Sequence, residues 1–562
     1  MKLFRKNEFL ILLVCSIVFF FGLGSIALLG PDEPRYAQVA REMYERRDLV
    51  TPTLLGHTWF EKPALLYWMI MACYSLFGIN EWAARLPNAV LATLAVLMVY
   101  RLGKQVSNDL FGLKAALVLS TSALYLGLAR AASFDMTLTF TFTLALTLFY
   151  TADTAQSSRQ RVISLIGFYI SLGLSFLAKG LVGPVLIVAT VISYELLSGG
   201  IRLLRLRPFY GLLLSLTVAS LWYLPVILKH GWPFIDEFFV QHHFQRYTSN
   251  KYRHPGPPWY FLLVILVGAF PWSLFLFSAT KGALKLLRQD LGDKLQMRLP
   301  LLLVLWMVIP LLFFSFSGSK LPGYILPIFP AIALLVAAEL DASSKKIWVL
   351  AGSINLLGLL LSVYSARELG KFTVLPFVCS LGLAVYALYR RSLLAIFCHA
   401  PLMVAIIVIT LFPAVELKAS TAEVSKKIMQ QALPGEKLVF FGYLSYTPVF
   451  YAANTVLADG REDVVKVDTV QDLEKYLSSS LLCLTRRPLL VQLDKHYELQ
   501  VVAAQQEVVL VRIQRRNPIY RQQSEERSVS RAGPVAVATR LDGGKSLRLL
   551  RRTRPGRSYR AP

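Results

Sequence analysis

Stretches of apolar residues close to the length a helix needs to cross a hydrocarbon core, about 20 residues, recur along the first three quarters of this 562-residue chain with short polar breaks between them. The pattern predicts membrane spans at 8–29, 83–101, 112–129, 134–152, 162–178, 181–198, 209–228, 259–279, 299–317, 324–340, 347–365, 372–389 and 394–414. The fold class that follows is an α-helical polytopic membrane protein with about 13 transmembrane helices over residues 1–415. From 416 to 515 the pattern changes: KLVFFGY, PVFYAA and EVVLVRI read as strands and VQDLEKYLSS as a helix, which predicts a small α/β domain. Residues 516–562 are rich in Arg, Ser, Gly and Pro with little apolar periodicity, so they bury too little to offset their ordering entropy and are expected to be a basic disordered tail resting on anionic lipid. No repeat of fixed period is visible.

Composition supports the membrane reading, with 55% hydrophobic and 17% charged residues, and excludes one soluble core as the main architecture. The net charge of +25 sits mostly between apolar runs or in the last fifty residues, so a membrane surface, not nucleic acid, is the expected partner. Five cysteines (Cys15, Cys73, Cys379, Cys398, Cys483) lie far apart and suggest neither a disulfide framework nor a zinc motif.

Lys and Arg concentrate in one set of loops: Lys2, Arg5 and Lys6; Arg101 and Lys104; Arg159 and Arg161; Arg202, Arg205 and Arg207; Lys281 to Arg298; Lys345 and Lys346; Arg390 and Arg391. The positive-inside rule makes these cytoplasmic. The first apolar run lacks a small-residue cleavage site and leads directly into GPDEPRYA, so it reads as a retained anchor. An odd number of spans then places the α/β domain outside.

The outer loops hold the candidate chemistry. Asp32 and Asp135 each sit where an apolar run meets the outer surface, where an acid is costly unless solvated or paired. Pro31 and Pro34 bracket Asp32 and Glu33 and are expected to keep that segment out of regular helix. Helix capping is the structural alternative for Asp32 and Asp135. Lys62, Lys179, Arg246 and Lys320 lie on the outer side against the charge bias, as a bound phosphate would require, and snorkelling is the alternative for each. His57, His230, His242, His243 and His254 are also external; no HxxxH or HExxH spacing is present, so His243 with Glu61 is at most a sparse site for a divalent metal. Trp59, Phe60, Tyr67, Trp68 and their neighbours read as an interfacial aromatic belt, some of which could stack on a sugar.

Four segments, GPDEPRYAQVAREM (30–43), WFEKPALLYW (59–68), HHFQRY with HPGPPWY (254–260), and SGSKLPGYILPIFP (317–330), resemble the bacterial lipid A 4-amino-4-deoxy-L-arabinose transferases, which stand with the protein O-mannosyltransferases in the C-type glycosyltransferase superfamily. The similarity covers about residues 8–415 in matching order. It implies a bacterial inner-membrane enzyme with its active face outward. Its donor would be a polyprenyl-phosphate sugar, its acceptor a lipid or protein, with inversion at the anomeric carbon and no nucleotide-sugar binding. Asp32 would be the catalytic base or acceptor-orienting carboxylate, supported by Asp135. Glu61 and Lys62 would line the donor site, with Lys62, Arg246 and Lys320 on the lipid phosphate and Tyr324 and His243 adding polar contacts. The tail has no expected counterpart in the family.

The residues by themselves agree with those roles, because glycosyl transfer always needs stabilisation of the departing phosphate and needs a base when the acceptor is protonated. A transporter would place its ionisable groups near the midplane of discontinuous helices, and a non-catalytic assembly partner would need neither Asp32 nor the cations. Within the enzyme class, protein O-glycosylation is the second reading.

Overall fold

The computed structural model describes residues 6–198, 206–245, 256–289, 298–340 and, with short breaks, 421–516, together with scattered positions between 349 and 408. Among them five helices are long and apolar enough to cross a membrane: Glu81–Val106, Ser158–Lys179, Pro208–His230, Arg298–Ser315 and Pro322–Glu339. Two further pairs, Asp109–Thr121 with Ala123–Ala129 and Tyr260–Gly268 with Ser273–Leu287, are long and apolar enough only when taken together and are bent by 68° and 113° at the break, the geometry of a broken span or of a re-entrant loop. The chain is a multi-pass membrane protein. The predicted spans at 347–365, 372–389 and 394–414 fall outside the continuously described residues, and the tail from 517 lies outside them altogether.

Helix α1 (Lys6–Cys15) continues as a π-helical turn over Ser16–Phe20, so the first apolar run is helical only over its first half. Three expectations are corrected here. First, GPDEPRYA is helical: α2 runs Asp32–Glu45, with Pro31 as N-cap residue and Pro34 inside the first turn. In that turn the missing proline N–H has no intrahelical partner to lose, so both prolines are tolerated. Second, WFEKPALLYW is not all loop, because α3 (Leu65–Phe77) starts within it. Its 13 residues are too short to span, and it buries Leu66, Tyr67, Ile70, Met71 and Tyr74 against α2.

Third, two predicted single spans are broken. After α4 (Glu81–Val106), α5 (Asp109–Thr121) and α6 (Ala123–Ala129) meet at Ser122. The hydroxyls of Ser120, Thr121 and Ser122 donate back to the carbonyls of Leu117 and Val118, competing with the helical ladder at the bend. The predicted span 259–279 breaks just before Pro271, which cannot continue the ladder. The following helices match the periodicity closely: α7 (Phe134–Asp153), α8 (Ser158–Lys179) and α9 (Val182–Leu197). Between the bundle helices the buried indoles are satisfied, Trp306 donating to the Pro327 carbonyl at 2.7 Å and Trp272 to the Thr121 hydroxyl at 2.9 Å.

Beyond the bundle, five strands form one sheet in the order β4-β3-β5-β7-β6, with β3 Leu438–Phe441, β4 Val464–Val467, β5 Ser480–Arg486, β6 Tyr497–Gln505 and β7 Val508–Arg515; β1 (Thr53–Leu54) and β2 (His57–Thr58) are a separate hairpin. β3 lies parallel to β4 and β5, while β7 runs antiparallel to β5 and β6. β3 and β5 are buried on both faces, which explains their unbroken apolar runs. PVFYAA, expected as a strand, lies in the helix Tyr446–Val456. A short apolar run carries no period that separates a buried strand from a helix, and here packing of Phe450 against α2 and α3 decided it.

Candidate active site

The first outer segment is fixed by a buried ion pair. Arg85 on α4 binds Glu33 through Nε (3.0 Å) and Nη2 (2.8 Å) and also donates to the carbonyls of Leu23, Ile26 and Ala27. Glu33 in turn accepts from the amides of Leu29 (2.9 Å) and Ala132 (2.8 Å). Burial alone would raise the Glu33 carboxyl, but Arg85 and these amides hold it below the usual glutamate range. The pair joins the segment 23–33, α4 and the residues preceding α7, so Asp32 and Asp135 are set by one network. Arg85 was not singled out from sequence, where it read as one residue of a predicted span.

The loop carrying Glu61 and Lys62 is held from two sides. The Glu42 carboxylate accepts from Thr53 Oγ1 (2.7 Å) and the Leu55 amide (2.8 Å), securing the β1–β2 hairpin on α2. Asp48 pairs with Lys229 at 2.9 Å and accepts from the amides of Val50 and Thr51. Further along, the Phe60 ring packs edge-on to Phe234 and His230 at 5.1 Å.

On this frame the sequence-predicted residues form two groups. In the first, Asp32, in the opening turn of α2 and half exposed, is ion-paired to Arg35. Arg35 also reaches Glu61 at 3.6 Å, and Glu61 pairs with Lys62 at 3.1 Å. The Arg35 guanidinium lies among aromatic rings, 5.3 Å from Tyr36 and 5.5 Å from Trp59. Burial would lower its pKa, but Glu61, Tyr36 and Asp32 raise it further above the arginine range, so it stays charged. In the second group, Asp135, in the first turn of α7, is paired to Lys179, the last residue of α8, whose ammonium lies 4.5 Å above the Tyr324 ring. A Cβ at Gly323 would overlap the Asp135 carboxylate, so the SGSKLPGY segment needs glycine there to approach α7. Capping is not the role of Asp135: Ser133 is the N-cap and accepts from the Asp135 amide. The Phe134 ring links the groups, meeting Tyr36 at 4.9 Å and Tyr67 at 5.1 Å.

Lys320 is buried, donating to the Ser317 carbonyl at 2.6 Å. It packs against Gly256, where an added Cβ would come within 2.9 Å of Lys320 Cδ, so the HPGPPWY and SGSKLPGY motifs meet. Arg246 and the His243 side chain lie outside the described residues. Among the described residues no three His, Cys, Asp or Glu side chains cluster as metal ligands, and Glu61 is engaged by Arg35 and Lys62.

Arg35 was missed by sequence reasoning, although its spacing of three from Asp32 on a helix would have placed the two side by side. Among the described residues, three buried donors at the site have no hydrogen-bond partner: Arg35 Nε, Trp59 Nε1 and Tyr67 OH. Orphaned buried donors are costly. Their gathering around a carboxylate–cation cluster suits a ligand rich in acceptor oxygens, such as a sugar phosphate.

Residues 61–224 match the family described as dolichyl-phosphate-mannose-protein mannosyltransferase. Over most of its length the chain is similar to undecaprenyl phosphate-alpha-4-amino-4-deoxy-L-arabinose arabinosyl transferases. The protein of that name from Pseudomonas paraeruginosa is 31% identical over 429 residues, covering 73% of this chain and 76% of the relative. The first such transferase of Pseudomonas fluorescens is 29% identical over 422 residues, covering 72% and 75%. Among solved structures, ArnT from Cupriavidus metallidurans bound to undecaprenyl phosphate superposes with a TM-score of 0.75 at 24% identity, over 90% of this chain and 97% of that one.

Proposed function

This chain belongs to the family of undecaprenyl phosphate-α-4-amino-4-deoxy-L-arabinose arabinosyl transferases, and on that premise we propose that it moves a sugar, an aminoarabinose in the first instance, from polyprenyl phosphate to lipid A or a related envelope glycolipid. The observation that carries the reading is the joining of Asp32, Arg35, Glu61 and Lys62 to Asp135, Lys179 and Tyr324 across Phe134. In the reaction an acceptor oxygen attacks the anomeric carbon, the bond from that carbon to the phosphate oxygen breaks, and the polyprenyl phosphate leaves with inversion. Asp32 is solvent-accessible and takes the acceptor proton. Lys62, Lys320 and Arg246 stabilise the charge that develops on the departing phosphate, as fixed cations do in a water-poor site. Asp135 holds Lys179 toward that site.

The topology that serves this chemistry has 13 crossings over residues 1–415 in a bacterial inner membrane, with the α/β domain of 416–515 outside and 516–562 as a tail. A polyprenyl chain then stays in the bilayer while its headgroup enters from the membrane edge. A cysteine at Ser249 should react with an impermeant thiol reagent in intact cells, and one at Gly200 should not. The reverse labelling places the cluster in the cytoplasm and removes this reading.

A second reading, protein O-glycosylation, draws on the match of residues 61–224 to the mannosyltransferase family. Mass spectrometry of lipid A and of envelope proteins from cells with and without the chain separates the two. A pentosamine-sized mass added to lipid A only when the chain is present supports the first, and a hexose added to protein supports the second.

A further inference from the structure

The α/β unit does not stand apart from the site. Its helix Tyr446–Val456 packs on α2, where the Phe450 carbonyl accepts from Arg41 Nη1 at 2.8 Å. The Tyr451 hydroxyl donates to Glu81 at 2.7 Å and accepts from the Leu28 amide at 3.1 Å. This docking brings Tyr446 to the catalytic cluster. Its ring lies 5.9 Å from the Arg35 guanidinium, closing a third aromatic side around that cation after Tyr36 and Trp59. Its phenol feels both Arg35 and Glu61, and among the described residues its hydroxyl has no hydrogen-bond partner. The nearby orphaned donors are Arg35 Nε, Trp59 Nε1 and Tyr67 OH. Those three come from the membrane domain, and the half-buried Tyr446 hydroxyl is brought beside them by the α/β unit.

We propose that Tyr446 is a donor-binding residue delivered by the α/β unit: its ring holds Arg35 in place, its hydroxyl contacts the phosphate-bearing head of the polyprenyl donor, and docking of the unit completes the site. The inference rests on the polyprenyl-phosphate reading above. A hydroxyl shared with a bound oxygen contributes mainly to donor affinity, while a merely structural tyrosine would move stability and leave the Michaelis constant alone.

Two measurements on the full-length protein in detergent test it. In the first, Tyr446→Phe, which keeps the ring, is expected to raise the donor KM about fivefold, as loss of one ordinary hydrogen bond does, with kcat nearly unchanged. In the second, Tyr446→Cys is expected to react with a soluble maleimide and to be protected several-fold by undecaprenyl phosphate. A cysteine at Val491, exposed elsewhere on the unit, should be unprotected. The parent protein supplies the background of native cysteines. A parent-like KM in Tyr446→Phe overturns the hydroxyl contact, and an unprotected thiol at 446 overturns the placement. If the parent transfers no sugar but undecaprenyl phosphate still protects the thiol, the transferase reading fails and the binding role of Tyr446 stands.

Discussion

Asp32→Asn is expected to lower the transfer rate by roughly a hundredfold to ten-thousandfold, the usual contribution of a positioned general base, while leaving membrane insertion and yield at the parent level. The amide keeps the shape of the carboxylate but cannot take the acceptor proton. Asp32 is half exposed in the first turn of α2, and its ion pair with Arg35 is open to solvent on one side. Arg35 is mostly buried but keeps Glu61 as a second carboxylate at 3.6 Å, so loss of the half-exposed Asp32 charge leaves no unpaired buried cation, and rate and stability separate at this position. Glu33 is the contrasting neighbour, fully engaged with Arg85 and two amides. Initial rates at equal protein and saturating polyprenyl-phosphate donor are the measurement. A rate within a few-fold of the parent would show that the base lies elsewhere, with Asp135 the next candidate.

Arg85→Met should do the opposite and remove the fold before it touches the chemistry. Breaking a buried ion pair by deleting one partner costs about 3–5 kcal/mol, because the other charge stays buried and uncompensated. Here the loss includes the contacts of Arg85 to the carbonyls of Leu23, Ile26 and Ala27. Set against a net stability of about 5–15 kcal/mol for a typical protein, that is enough to collapse yield and thermal midpoint. Arg85→Lys should recover little, since an ammonium cannot reproduce the forked contacts of a guanidinium. Adding Glu33→Leu to Arg85→Met should restore part of the midpoint by removing the stranded charge. The pair also sets an acid limit. Because Glu33 titrates below the range of a free glutamate, near 4.3, its stabilisation is complete above that range and is lost as pH falls through its depressed value. Thermal unfolding of the detergent-solubilised variants reads all of this, and an Arg85→Met midpoint equal to the parent's would refute the structural role.

Helix existence and much of the site were legible in the residue order. The spans predicted at 134–152, 162–178 and 209–228 appear as helices 134–153, 158–179 and 208–230, because a long apolar run in a membrane has no lower-cost way to satisfy its backbone than helix. Asp32 and Asp135 were marked as acids where an apolar run meets the outer surface, and Lys62, Lys179 and Lys320 as cations against the charge bias, signals that need no knowledge of neighbours, whereas Tyr324 and the donor-site role of Glu61 came from the family resemblance. Breaks were less legible. Ser120 to Ser122 bend the predicted span 112–129 through hydroxyls that bond back into their own helix, and a hydropathy pattern scores them only as mildly polar.

What the sequence by itself determined, then, is a membrane-embedded helical chain with acids and cations in the polar breaks between its apolar runs and a strand-rich segment toward its C-terminal end. Those features depend on the local run of side chains and on the solvent they must face. Only the tertiary structure decided who pairs with whom: Arg85 with Glu33 across 52 residues, Lys179 with Asp135 across 44, and the Phe450 carbonyl with Arg41 across 409. Arg35 was not singled out in the sequence, and only the formation of α2 set it between Asp32, Glu61 and three aromatic rings. PVFYAA changed from expected strand to helix because burial against α2 and α3 outweighed its weak local preference. A charge pair or a packed face gains its energy from proximity in space, and proximity is a property of the fold that no local pattern carries.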